Sequence, residues 1–161
     1  MKIKRQTKIE ELSHEDLVNL FSTALYGNPR IGCDYDKDFY NTIPVGKVNG
    51  DCYEDKIADV LLNGGKIYLY DEDADGQVYG NRGEVIEDDN CVMYPTTLED
   101  VKRGLENAFN GTFNFSFDAD NEKKYAMECA EDLYDEDSCN LDLTEADVLL
   151  QIIMFNEIIY G

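Results

Sequence analysis

The chain contains no tryptophan, one histidine, three prolines and only 14 lysines and arginines among 161 residues. Each scarcity argues against a class of activity. With His14 alone, an H-E-x-x-H metal site cannot be assembled, and the sequence also lacks G-x-S-x-G, P-loop and G-x-G-x-x-G motifs. His14 falls in the first turn of a predicted helix, where a surface position is expected. The cysteines Cys33, Cys52, Cys91, Cys129 and Cys139 are odd in number and form no C-x-x-C pair, which argues against a disulfide framework and a structural zinc site. Free thiols without an apolar signal-peptide core lead to the expectation of a cytoplasmic protein. Long hydrophobic runs are missing too: the longest, Val148 to Tyr160, is short for a membrane span and is interrupted by Gln151, Asn156 and Glu157. The shortage of cations makes nucleic acid and anionic lipid poor direct partners.

Acid is what the chain has in excess. Asp and Glu number 35, for a net charge of -21, while 43% of residues are hydrophobic. Self-repulsion of that size costs stability in a compact state, so it is expected to serve solubility, halophily or a basic partner. A mass of 18.4 kDa suits one domain, and a chain of this size buries about 70% of its unfolded surface, enough for a core without staples.

The pattern predicts a basic arm over residues 1–8, carrying Lys2, Lys4, Arg5 and Lys8, followed by one acidic domain over residues 9–161. Ser13 caps a first helix through Leu17, Leu20, Phe21, Ala24 and Leu25, ending at Gly27 and Pro29. Cys33 to Tyr40 lacks periodicity and reads as a loop. Asp51 and Glu54 resemble a capping box for a second helix, closed by Asn63-Gly64-Gly65. Lys66–Tyr70 and Gln77–Tyr79 read as a hairpin, and Cys91–Tyr94 as a further strand. Thr97 with Asp100 starts a third helix that Asn110-Gly111 ends. Thr112 to Phe117 alternates phenylalanine with small polar residues and is the clearest strand signal. Two helices follow, at about 121–134 and 145–160, the second capped by Thr144 with Asp147. It is apolar nearly all round, as suits a core helix or a contact with a second copy in a homo-oligomer. The order lacks βαβ alternation and predicts an α+β fold: a small antiparallel sheet covered by about five helices in a single domain.

Two acidic constellations stand out. Asp71, Asp73 and Asp75, followed by Gly76, have the opening of a calcium loop. Position twelve is Arg82, not a bidentate glutamate, so any calcium binding there is expected to be weak, and no other cofactor is implied. The second is a helical stripe, Glu128, Glu131, Asp132 and Asp135, at i, i+3, i+4 and i+7, which Glu136, Asp137 and Asp142 extend. Like charges so spaced weaken an isolated helix by a few tenths of a kcal/mol per pair, which propensity alone would not select. Carboxylates along such a row stand about 5–6 Å apart, sparser than the ~1.7 Å charge spacing of duplex DNA. DNA mimicry would need the 71–75 turn, Glu87-Asp88-Asp89 and the Asp34-Asp36-Asp38 stretch on the same face. Tyr68, Tyr70, Tyr79 and Tyr94 offer an aromatic patch or ordinary half-buried strand positions. No pair among the 35 acids is singled out as a catalytic acid and base.

The segments Leu17–Gly27, Asp34–Tyr40, Asp59–Lys66 and Leu150–Phe155 resemble a group of small acidic uncharacterised proteins from gut anaerobes and their mobile elements. The likeness covers both ends but not the middle, and implies no transferable function or site residue. In size and charge, though in no motif, the chain is also similar to antirestriction proteins that imitate DNA. The expectation is therefore a non-catalytic protein whose stripe binds a basic, nucleic-acid-binding partner as a DNA mimic inhibiting a DNA-binding or host-defence protein. The alternative is a structural or regulatory protein-binding module with weak calcium binding at the turn.

Overall fold

Helix starts follow local capping chemistry. In the computed structural model, which describes residues 11–26, 28–86, 90–115, 119–134 and 141–160, α1 spans His14–Leu25. Ser13 Oγ accepts the Asp16 amide at 3.1 Å and the Asp16 carboxylate accepts the Ser13 amide at 3.1 Å, a reciprocal cap that satisfies two otherwise unpaired donors. Leu17, Leu20, Phe21 and Ala24 then fall on one buried face. Helix α3 (Tyr53–Leu62) begins one residue later than the sequence suggested: the Cys52 amide, not that of Asp51, donates to a side chain, that of Asp55 at 3.2 Å. Helix α4 (Leu98–Asn110) has the expected Thr97/Asp100 cap and ends at Gly111, whose φ of 66° needs no Cβ. Helix α5 covers Ala119–Leu133 and α6 Leu143–Phe155. The cap of α6 is Asp142, which accepts the Glu145 amide at 2.8 Å, not Thr144. Asn156, at φ 55°, ends α6 short of the predicted residue 160 and turns the chain back. No helix among the described residues is long and apolar enough to cross a membrane.

The strands are β1 (Ile31–Tyr35), β2 (Ile67–Asp71), β3 (Glu84–Val85) and β4 (Val92–Thr96), in the antiparallel order β1-β2-β4-β3. The fold is thus α+β, with six helices beside this sheet among the described residues. Three strand expectations are corrected. Cys33–Tyr40 is not a loop but the end of β1 followed by the short helix α2 (Lys37–Tyr40), capped by Asp36. Gln77–Tyr79 does not pair with β2. Asp75 and Gly76, at φ 49° and 79°, turn the chain aside, and the Tyr79 backbone bonds to the Tyr94 hydroxyl instead. Phe113–Phe115 adds no strand to the sheet: Asn114 makes one parallel bridge to Glu157, while Phe113 and Phe115 pack together at 4.8 Å between ring centroids. Its period-two pattern is met by core packing; residues 116–118 lie outside the described residues, as do the arm 1–8 and Glu87–Asp89.

Strand β1 is an edge, and its outward polar groups are partly occupied by side chains. Asn28 Oδ1 accepts the Ile31 amide at 3.3 Å, the Tyr53 hydroxyl donates to the Cys33 carbonyl, and Asp34 Oδ1 accepts the Tyr35 amide at 2.9 Å. Such blunting opposes edge-to-edge pairing with other chains.

The inner face of the sheet, with Ile31, Ile67, Leu69, Val92 and Tyr94 buried, completes a core dominated by α6, whose residues Val148 to Phe155 are all buried. Helices α4, α1 and α5 pack around α6. Close approach of α4 requires Gly104: a Cβ there would meet Ile153 Cγ1 at 2.5 Å and Ile153 Cα at 2.7 Å. The chain after α6 is held by Gln151, fully buried. Its Oε1 accepts the Ile159 and Tyr160 amides at 2.8 Å each, and its Nε2 donates to Asp147 at 2.8 Å and to the Tyr160 carbonyl at 3.0 Å. The Tyr160 hydroxyl donates to the buried Asp71 carboxylate at 2.9 Å, and Arg30 stacks on the Tyr160 ring at 4.3 Å while pairing with Asp147 at 2.8 Å.

Gly104→Ala should lower unfolding stability by about 1–3 kcal/mol through overpacking against backbone. Tyr160→Phe should cost about 1–3 kcal/mol by leaving Asp71 short of a donor. Urea titration of both variants, with Gly46→Ala as a control where an added Cβ meets nothing within 4 Å, measures both effects.

Candidate acidic interface

Helix α5 carries the predicted stripe. Ala126, Cys129, Ala130 and Leu133 are buried, Glu128 is exposed, and Glu131 and Asp132 are half-buried. Asp135, Glu136 and Asp137 lie outside the described residues. The sequence pattern extended the stripe as far as Asp142; the tertiary structure adds Glu145, in the first turn of α6, which packs on α5 and places Glu145 against Asp132 and near Asp142.

The electrostatic consequence is concentrated on Glu145. Burial, a hydrogen bond with Asp132 and the negative charges of Asp132 and Asp142 push its carboxyl up to about 7, against a backbone hydrogen bond at Asp142 that pulls the other way. Among the described residues no lysine or arginine pairs with Glu128, Asp132, Asp142 or Glu145. The arginines among the described residues are engaged elsewhere: Arg30 on Asp147, and Arg82 and Arg103 on Asp100. Beside the cluster, burial and the same carboxylates push the Cys129 thiol and the Tyr125 hydroxyl up to about 12, so both stay protonated at neutral pH.

The remaining acids are dispersed. Asp71 is turned inward to Tyr160, and burial raises its carboxyl against the hydroxyl and the Asp73 amide that stabilise the anion. Asp73 and Asp75 are exposed. The expected calcium set is therefore not gathered around one point, and among the described residues no group of three His, Cys, Asp or Glu is placed to hold a metal ion. Antiparallel pairing sets Ile31 opposite Asp71 and Tyr35 opposite Ile67, which puts the turn acids and Asp36–Asp38 at opposite ends of the strand pair, roughly 13 Å apart at about 3.3 Å per residue.

Several acids hold local structure. Asp16, Asp36, Asp55, Asp100 and Asp142 each accept a backbone amide at a helix start, where a carboxylate also meets the positive end of the helix dipole. Burial opposes the Asp100 charge, yet the Thr97 amide and Arg82 hold its carboxyl below the ordinary range. His14 is half-buried and not on the open surface: its Nε2 faces α3, 3.2 Å from Asp55 and 3.8 Å from the buried Asp59, without a hydrogen bond among the described residues. The four strand tyrosines divide. Tyr94 is buried and Tyr79 packs on Phe155 and Tyr160, while Tyr68 and Tyr70 lie on the outer sheet face.

Because the fold keeps Glu145 protonated up to about 7, against 4.5 for an unperturbed glutamate, the folded chain binds more protons than the unfolded one between those values. Through this group stability falls as pH rises across that window. Glu145→Gln, which retains a donor toward Asp132, should melt close to the parent at pH 4.5 and above it at pH 8. Melting curves of both proteins from pH 4.5 to 8 check this.

No protein-family model, curated protein or solved structure matches the chain.

Proposed function

We propose that the protein acts without catalysis, by presenting the α5–α6 carboxylates to a basic protein surface. The observation that carries this reading is the convergence of Asp132, Asp142 and Glu145 with no cation among the described residues to neutralise them. Repulsion of this kind is relieved when a lysine or arginine of a partner arrives, so the energy stored against folding favours association. The role that fits best is competition with nucleic acid for a DNA-binding protein, as an inhibitor. The separation of the turn acids from Asp36–Asp38 favours a local acidic patch over two duplex-length rows of charge.

A second reading, a structural or regulatory protein-binding module whose acid is mainly for solubility, is favoured by the five aspartates engaged at helix starts. The two differ in what neutral variants do. Under the first, Glu128→Gln, Asp132→Asn and Glu145→Gln together should weaken binding to a basic DNA-binding partner by about tenfold or more while stability is kept or raised. Binding should also weaken steeply with salt and compete with duplex DNA. A pull-down at low salt followed by titration calorimetry against the recovered partner measures this; unchanged affinity of the triple variant moves the contact off α5–α6, and recovery of no nucleic-acid-binding protein removes the inhibitor role.

A further inference from the structure

Helices cover one face of the sheet and bury Ile31, Ile67, Leu69, Val92 and Tyr94; the outer face stays partly open. It carries Gly32 and Asp34 from β1, Tyr68 and Tyr70 from β2, Met93 and Pro95 from β4 and Glu84 from β3. Gly32 stands opposite Tyr70, and the missing side chain leaves a dent in this surface. An added Cβ would meet only Glu72 Oε1 at 3.6 Å, Tyr70 Cβ at 3.8 Å and Glu72 Cδ at 4.0 Å. Over it opens a cavity of about 690 Å³ bordered by Asp34, Tyr70, Glu72 and Ile86, with no lysine or arginine among the described residues of its lining.

We propose that this cavity is an anchor site for an arginine side chain of a basic protein partner. The Glu72 carboxylate reaches over the dent and has no hydrogen-bond or ion-pair partner among the described residues. Asp34 offers a second carboxylate, of which only Oδ1 is engaged among the described residues, by the Tyr35 amide. Its charge is close enough to Tyr70 that, after burial, it is the main cause raising the tyrosine hydroxyl. Two carboxylates beside an aromatic ring suit a planar guanidinium, which can hydrogen-bond to carboxylate oxygens through its fork of N–H groups while lying flat on the ring; a lysine ammonium has neither the plane nor the fork. Ile86 provides apolar surface for the aliphatic stem. The open sheet face favours a side chain delivered by a protein surface over a small molecule, which binds best where most of its own surface is enclosed. A net charge of -21 attracts such a partner. The inference shares with the proposed function only the basic character of the partner and uses none of the α5–α6 acids.

The test is a titration of the isotope-labelled full chain with a short peptide of alternating serine and arginine at low salt, followed by NMR. Shifts should concentrate at residues 32, 34, 70 and 72. Gly32→Val, which fills the dent from a position where a Cβ makes ordinary contacts, should keep the fold and weaken binding about tenfold. Asp34→Asn with Glu72→Gln should do the same, and the lysine version of the peptide should bind more weakly than the arginine one. If Gly32→Val, shown to be folded by its melting curve, binds like the parent, or if shifts fall on Glu128, Asp132 and Glu145 alone, this cavity is not the anchor, and the α5–α6 reading stands. Failure of every basic peptide and protein to bind overturns both.

Discussion

Helix α6 has no solvent face along most of its length, and that constraint organises the rest of the molecule. A buried helix must have its polar ends and any polar side chain satisfied within the protein. Arg82 donates to the Ile153 carbonyl at 2.6 Å in the last turn, and the Asn156 amide bonds back to the Ile152 carbonyl at 2.9 Å. Gln151, buried mid-helix, satisfies both its oxygen and its nitrogen by binding the backbone of residues 159 and 160 and the Asp147 carboxylate. The final segment is therefore pinned by the helix it follows. Because Tyr160 reaches from this segment to Asp71, the same set of bonds closes the gap between the helices and the end of β2.

Placing acid on such a core separates two kinds of carboxylate. Those at helix starts accept backbone amides and face helix dipoles, so they have partners within the fold. Asp147 and Asp100, on the shoulders of the core, take the arginines. The carboxylates between α5 and the start of α6 have neither compensation in full, and their mutual repulsion is relieved by holding a proton on Glu145 at a pH where a surface glutamate is ionised. That difference, and not the total charge, marks the α5–α6 corner as the place where a cation would gain most. The outer sheet face differs again: its carboxylates are fewer, but they flank a ring and a dent that a side chain can enter.

Most of the helical framework was legible in the chain because capping is local. Ser13 with Asp16 and Thr97 with Asp100 each specify a start within four residues, and the glycines at 64 and 111 specify stops through positive φ. The strands were less legible. The alternation from Phe113 looked like the best strand and is satisfied by core packing. Cys33–Tyr40 gave no pattern yet contributes an edge strand, because Gly32 and Asp34 on its outer face break the apolar rhythm. The acids of the calcium-like spacing at 71–75 are divided for a related reason: a strand residue, Asp71, belongs to the inner face, and its carboxylate accepts from Tyr160, 89 positions away in sequence.

Composition and local pattern by themselves determined the α+β class, the caps of α1 and α4, the apolar character of α6 and the acid stripe on α5, since caps and helix faces depend on residues within one or two helical turns of each other. Which acids meet was decided only by tertiary structure. Asp132 and Glu145 come together because α5 and α6 pack side by side; the turn acids and Asp36–Asp38 stay apart because β1 and β2 run antiparallel; and the dent beneath Glu72 exists because Gly32 is set opposite Tyr70. Charge interactions act through space, so their sign was readable along the chain, while their strength depended on distances and burial that folding alone supplies.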